Sequence, residues 1–111
     1  MTTDQYEVIF AIVNSGYAED AMAVAREQGV RGGTILGGRG VAREDEAAFF
    51  GIPIHTEKEI LMMVVEKAIR DKVLNALYQQ MGLSRPAQCI VLTLPVSDVA
   101  GLATPIETKE A

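Results

Sequence analysis

One cysteine, one histidine, and ten basic residues against fifteen acidic ones set the first limits on this chain. A lone Cys89 cannot form an internal disulfide, which suits a reducing, cytoplasmic compartment. His55 has no second histidine or cysteine near it in sequence, so it lacks the three or four ligands of a metal site. A net charge of −5 leaves no surplus of Lys and Arg for a basic face that grips duplex DNA or RNA. A small basic pocket for one nucleotide stays open. Ile60–Val65, as long as any apolar run in the chain, falls far short of the ~20 residues of a membrane span. Met1–Gln5 carries no basic residue, so no secretory leader is expected. Internal repeats and low-complexity tracts are absent as well.

What is present is the composition of one globular domain: 111 residues, 49% hydrophobic and 23% charged. That apolar content excludes disorder as the dominant state. Tyr6–Val13 (YEVIFAIV) is short, β-branched and aromatic, and predicts a strand. Asn14-Ser15-Gly16 follows as turn and N-cap material. Over Tyr17–Gln28 the period changes, and Ala18, Ala21, Met22 and Ala25 form one helical stripe that Gly29 ends. Gly32–Gly38 predicts a second strand whose glycines suggest close backbone approach. Arg39–Thr56 has no clean period. Glu57–Val65 predicts a third strand. Lys67–Met81 predicts a second helix with Ile69, Val73, Leu77 and Met81 on one stripe, closed by Gly82. Leu83–Ala87 is a loop, Gln88–Leu94 a fourth strand stopped by Pro95, and 101–111 a polar tail.

The order β-α-β-loop-β-α-β, with right-handed crossovers, places both helices on one face of a four-stranded antiparallel sheet. This is the ferredoxin-like α/β sandwich. A half-exposed antiparallel sheet alternates apolar with polar residues, yet these strands are apolar on both parities. Val8, Phe10 and Ile12 match Ile9, Ala11 and Val13. Ile60, Met62 and Val64 match Leu61, Met63 and Val65. Two helices cover one face, and the other would expose a large apolar patch. Packing against copies of the chain is therefore expected, with closed cyclic symmetry. Covering several hundred Å² per chain is worth roughly 10 kcal/mol before association costs. The alternative is that the tail or the loop folds over the sheet.

Six of the ten glycines lie between Gly29 and Gly40. Gly37-Gly38-Arg39-Gly40 opens a long segment of the kind that usually binds something. Glycines let backbone N–H groups approach a phosphate or carboxylate, and Arg39 and Arg43 can add charge-assisted bonds. No Gly-Lys-Ser/Thr follows, so this is not a P-loop. Anion binding and a plain glycine hinge are both compatible with these residues.

Three stretches together resemble the PII signal-transduction superfamily: Ala11–Asn14, Gly29–Ile35 leading through Gly40 to Arg43, and Leu94–Val99. The Gly-Val-x-Gly-x-Thr and Pro-Val-x-Asp-Val pieces carry most of it, and the likeness runs from about Val8 to Val99. The resemblance implies a homotrimer with adenine nucleotide (ATP, ADP or AMP-type) bound in clefts between subunits. It implies a T-loop at about 39–56 that signals to a membrane transporter or an enzyme. It implies no catalysis and no covalent cofactor. By resemblance, Thr34 and Val64 would face adenine, Gly38 and Gly40 would lie at the loop base, and Arg39 and Arg43 would supply charge there. Lys58 matches a lysine that binds 2-oxoglutarate. Glu44, Phe49 and Phe50 fall in the partner-binding loop.

The departures are specific. Ala87–Ile90 stands where the family has Gly-Asp-Gly-Lys around the phosphates. Gly101 and Ala103 replace two arginines, Glu44 replaces a Mg²⁺-linked glutamine, and 39–56 holds no tyrosine for modification. Arg85 is a candidate substitute for a lost phosphate contact. Two other readings use the same residues: a trimeric interaction module without ligand, and an acylphosphatase-like enzyme. The latter would need a basic, glycine-rich loop after strand one, where Asn14-Ser15-Gly16 has no basic residue. Glu57 and Glu59 read as solvated edge residues, Glu44-Asp45-Glu46 as a solvated loop patch, Cys89 as a buried inert thiol, and Met62-Met63 as core.

Overall fold

A computed structural model describes residues 5–41 and 55–102. In chain order the elements are β1 (Tyr6–Asn14), α1 (Ala18–Glu27), β2 (Thr34–Val41), β3 (His55–Glu66), α2 (Lys67–Met81) and β4 (Ile90–Pro95). The sheet order is β2-β3-β1-β4, with every neighbouring pair antiparallel. Both helices pack on one face and against each other. This is the ferredoxin-like plan, with the antiparallel sheet expected from the element order.

The core forms where the odd-numbered strand residues meet the two helical stripes. Ile9, Ala11 and Val13 of β1 and Leu61, Met63 and Val65 of β3 are buried against Ala18, Ala21, Met22 and Ala25 of α1. From α2 come Val73, Leu77 and Met81, with Ile69 partly buried beside them. Small alanines on α1 let that helix lie close to the sheet. Glu7 shares this face and is 8% exposed. Its carboxylate accepts a 2.9 Å bond from Arg70 Nη1 of α2, which removes the cost of an unpaired buried charge. The bond to Glu7 and then the contact with Asp71 push the Arg70 guanidinium further toward its charged form.

The ends of α1 depart from and match expectation in turn. Its N-cap position is Tyr17, which makes no side-chain capping bond. At the other end Gly29 has φ +106°, its N–H donates to Arg26 O at 3.0 Å, and Val30 N–H donates to Ala25 O at 3.2 Å. This paired closure needs the left-handed conformation that glycine adopts without strain.

Strand limits differ from the sequence reading at both ends of β2, β3 and β4 and by one residue at the end of β1. β2 begins at Thr34, after Gly32 and Gly33. A Cβ on Gly33 would sit 2.9 Å from Met62 O, so the chain's own β3 is what approaches there. β4 begins at Ile90 because Gln88 has φ +48° and breaks the ladder. The β2–β3 ladder extends to Val41 opposite His55, so Arg39, Gly40 and Thr56 are strand-paired.

The second face of the sheet is not covered by the helices. Register places its residues in three rows: Leu36–Ile60–Ile12–Ile90, Thr34–Met62–Phe10–Leu92 and Val64–Val8–Leu94. The β1 and β3 members are half-buried by their neighbours. Leu36, Ile90, Leu92 and Leu94 are exposed.

Candidate functional site

The predicted site residues fall into two groups along β2 and β3. Thr34 and Val64 lie on the uncovered face as diagonal neighbours, since Thr34 pairs with Met62, two residues before Val64. Gly38, Arg39 and Gly40 lie four to six residues further along β2, about 13 Å or more from Thr34 at strand spacing. They pair with Lys58, Glu57 and Thr56. Arg39 is exposed and directly opposite Glu57. Gly40 is packed by its own neighbours, since a Cβ there would meet Lys58 Cε at 2.9 Å. A Cβ added at Gly37 would meet nothing within 4 Å, so its backbone is open to approach. Arg43, Glu44, Phe49 and Phe50 lie outside the described residues.

Arg85 lies in the turn between α2 and β4, at the sheet end that also carries Gly38–Gly40. Its Nη2 is 3.5 Å from Gln79 O, a weak contact. It borders a depression of about 240 Å³ with Tyr17, Asp20, Val24, Gln80 and Pro86. Two larger depressions are lined by none of the predicted residues. One of about 430 Å³ is formed by Asp71, Leu74, Asn75, Tyr78 and Val91. The other, about 350 Å³, lies between α1 and β2 beside Met22, Gly33 and Ile35. None of these three concavities joins Thr34 or Val64 to Arg39 or Arg85, and the uncovered face is a sheet surface that a second chain would have to wall.

Near the predicted residues, two polar arrangements escaped the sequence reading. Glu59, expected to be a solvated edge residue, is half-buried. Its Oε1 accepts from the N–H groups of Gly16 and Ala18, both at 3.0 Å. A carboxylate from β3 thus caps α1, where the helix dipole favours negative charge. The turn Asn14–Tyr17 therefore already holds an anion of its own. Asn14 is the second case. Its Oδ1 accepts from Lys58 Nζ at 2.7 Å, and its Nδ2 donates to Pro86 O at 2.9 Å. One of the three Lys58 donors is thereby engaged within the chain. No local pattern encodes either contact, because the partners are 41 to 72 positions apart. Cys89 is buried, and burial pushes its thiol up to about 11, in line with an inert core cysteine. No group of three metal-binding side chains occurs among the described residues. No helix among them is long and apolar enough to cross a membrane.

Known structures share this architecture. The chain resembles the Bacillus subtilis GlnK–ATP complex with TM-score 0.67 at 14% identity, over 87% of this chain and 86% of that one. It resembles Arabidopsis thaliana PII bound to citrate with TM-score 0.62 at 22% identity, over 90% of this chain and 82% of that one. A Thermus thermophilus protein described as PII-like matches with TM-score 0.61 at 16% identity, over 86% of this chain and 92% of that one. No family model and no curated protein matches the sequence. The fold is that of the PII-like signalling proteins.

Proposed function

We propose that the chain is a PII-like regulatory protein, not a catalyst, that works as a homotrimer. It binds an adenine nucleotide or similar small anion between subunits and relays occupancy to a transporter or enzyme through the segment at about 39–56. The observation that carries this is the uncovered sheet face, with three apolar rows that include Thr34 and Val64. Copies of the chain packed there would bury the rows and convert an open surface into clefts. Arg39 and Arg85, neither in a salt bridge among the described residues although Arg39 stands opposite Glu57 in the ladder, would supply charge at the rim. The fold shared with an ATP complex of GlnK supports the same ligand class. The acylphosphatase alternative is disfavoured, because Glu59 fills the turn that would have to cradle a phosphate.

A ligand works as a signal only if it binds one loop conformation better than another. About 1.4 kcal/mol of differential affinity shifts the populations tenfold. Sedimentation should give a particle three times the 12.0 kDa chain mass. Calorimetry against ATP, ADP, AMP and cyclic AMP should give heat with at least one. A trimer with no heat from any of them points to the ligand-free interaction module, and a monomer removes the shared cleft altogether. Arg39→Ala is expected to weaken nucleotide binding about tenfold, the loss of one charge-assisted bond, while leaving the melting temperature nearly unchanged.

A further inference from the structure

Across the end of the sheet runs a row whose members belong to three separate segments. Gly38 of β2 pairs with Lys58 of β3, and Lys58 pairs with Asn14 of β1. Continuing the β1–β4 register would put Gln88 next, but its φ of +48° turns the chain out of the ladder. Asn14 spans the break. Its backbone N–H reaches Ala87 O at 2.9 Å, and its Nδ2 reaches Pro86 O at 2.9 Å. On the other side its Oδ1 holds Lys58 Nζ at 2.7 Å. The partners fix the amide orientation, since an ammonium only donates and a carbonyl only accepts. A carboxamide supplies both functions at once; a carboxylate or an alkyl group does not.

We infer that Asn14 is a positioning residue that couples the turn Leu83–Cys89 to the start of β3, so that ordering one orders the other. The inference deepens the proposed function, because these segments carry Arg85 on one side and the stem of the 39–56 segment on the other. The two side-chain hydrogen bonds reinforce backbone bonds from Asn14 N–H to Ala87 O and from Ser15 N–H to Glu57 O, and the coupling exists without ligand. Glu59, next to Lys58, locks the same stretch of β3 to α1 and gives it a fixed reference.

Hydrogen exchange on the full chain tests this first without ligand. Lys58→Met removes the donor on the β3 side and is expected to speed exchange about tenfold at 85–89 as well as at 56–60, with Val73–Leu77 unchanged. Asn14→Asp keeps an acceptor for Lys58 and loses the donor to Pro86. It is expected to loosen 85–89 while 56–60 stays protected. A Lys58→Met effect confined to 56–60, or a uniform rise that reaches Val73–Leu77, overturns the inference. Should Asn14→Asp fail to fold, Lys58→Met alone decides. With ATP added, the native chain should gain protection in both segments and Asn14→Asp in one. Protection of both in Asn14→Asp overturns the coupling. If ATP protects neither segment of the native chain, the nucleotide reading falls, and the ligand-free comparison still decides the role of Asn14.

Discussion

At the start of α1 the carboxylate of Glu59 stands in for a Ser, Thr or Asp cap. Glu59→Ala is expected to cost about 1 kcal/mol, as loss of a helix cap does, and to fray the first turn of α1. Chemical denaturation and exchange at Ala18–Met22 would measure both. Cys89 offers a second check at this scale. Its thiol is raised to about 11 in the folded chain, against about 8.5 unfolded. Below pH about 8.5 both states are protonated and stability is intact. As pH rises toward about 11 only the unfolded thiol ionises, so stability falls. Cys89→Ala should flatten this part of the profile, read as denaturation midpoints of both proteins at about pH 8 and about pH 10. The sequence shows no sign of Glu59 as a cap or of Arg70 as the partner of Glu7. Such pairs are created by topology, 41 and 63 positions apart, and neighbouring residues do not encode them.

Among the elements, α2 is readable to the residue. Its stripe of Ile69, Val73, Leu77 and Met81 repeats at helical spacing, and Gly82 follows. Gly82 has φ −71°, yet a Cβ there would lie 2.5 Å from Tyr78 O, so tight packing explains this glycine. The start of β4 is not readable, because nothing in Gln88-Cys89 announces a left-handed residue where glycine or asparagine is usual. The start of β2 departs from the sequence reading for a related reason: glycines mark close approach, but not which chain segment approaches. Gly33→Ala is expected to destabilise the fold by about 1–3 kcal/mol, since the methyl would press on backbone at Met62 that cannot rotate away. Gly37→Ala, in open space and at a position with no positive φ, should be neutral or slightly stabilising by the same denaturation measurement.

For the whole molecule, the apolar second face is legible from strand parity alone, and the register then arranges it in rows. What covers it is the part that sequence periodicity does not specify. Leu92, 39% exposed at the edge-strand end of one row, is the test position. Leu92→Asp is expected to leave the circular-dichroism spectrum of the folded chain intact and to shift the sedimenting species to a single chain. A buried aspartate would be unpaired in an assembly but solvated in the monomer. The rows also bear on how the protein is made. In the proposed trimer, a newly released chain would carry its greasiest surface bare until it met two others, so productive refolding should follow higher-order kinetics. Dilution would slow it, and the melting point would climb with protein concentration.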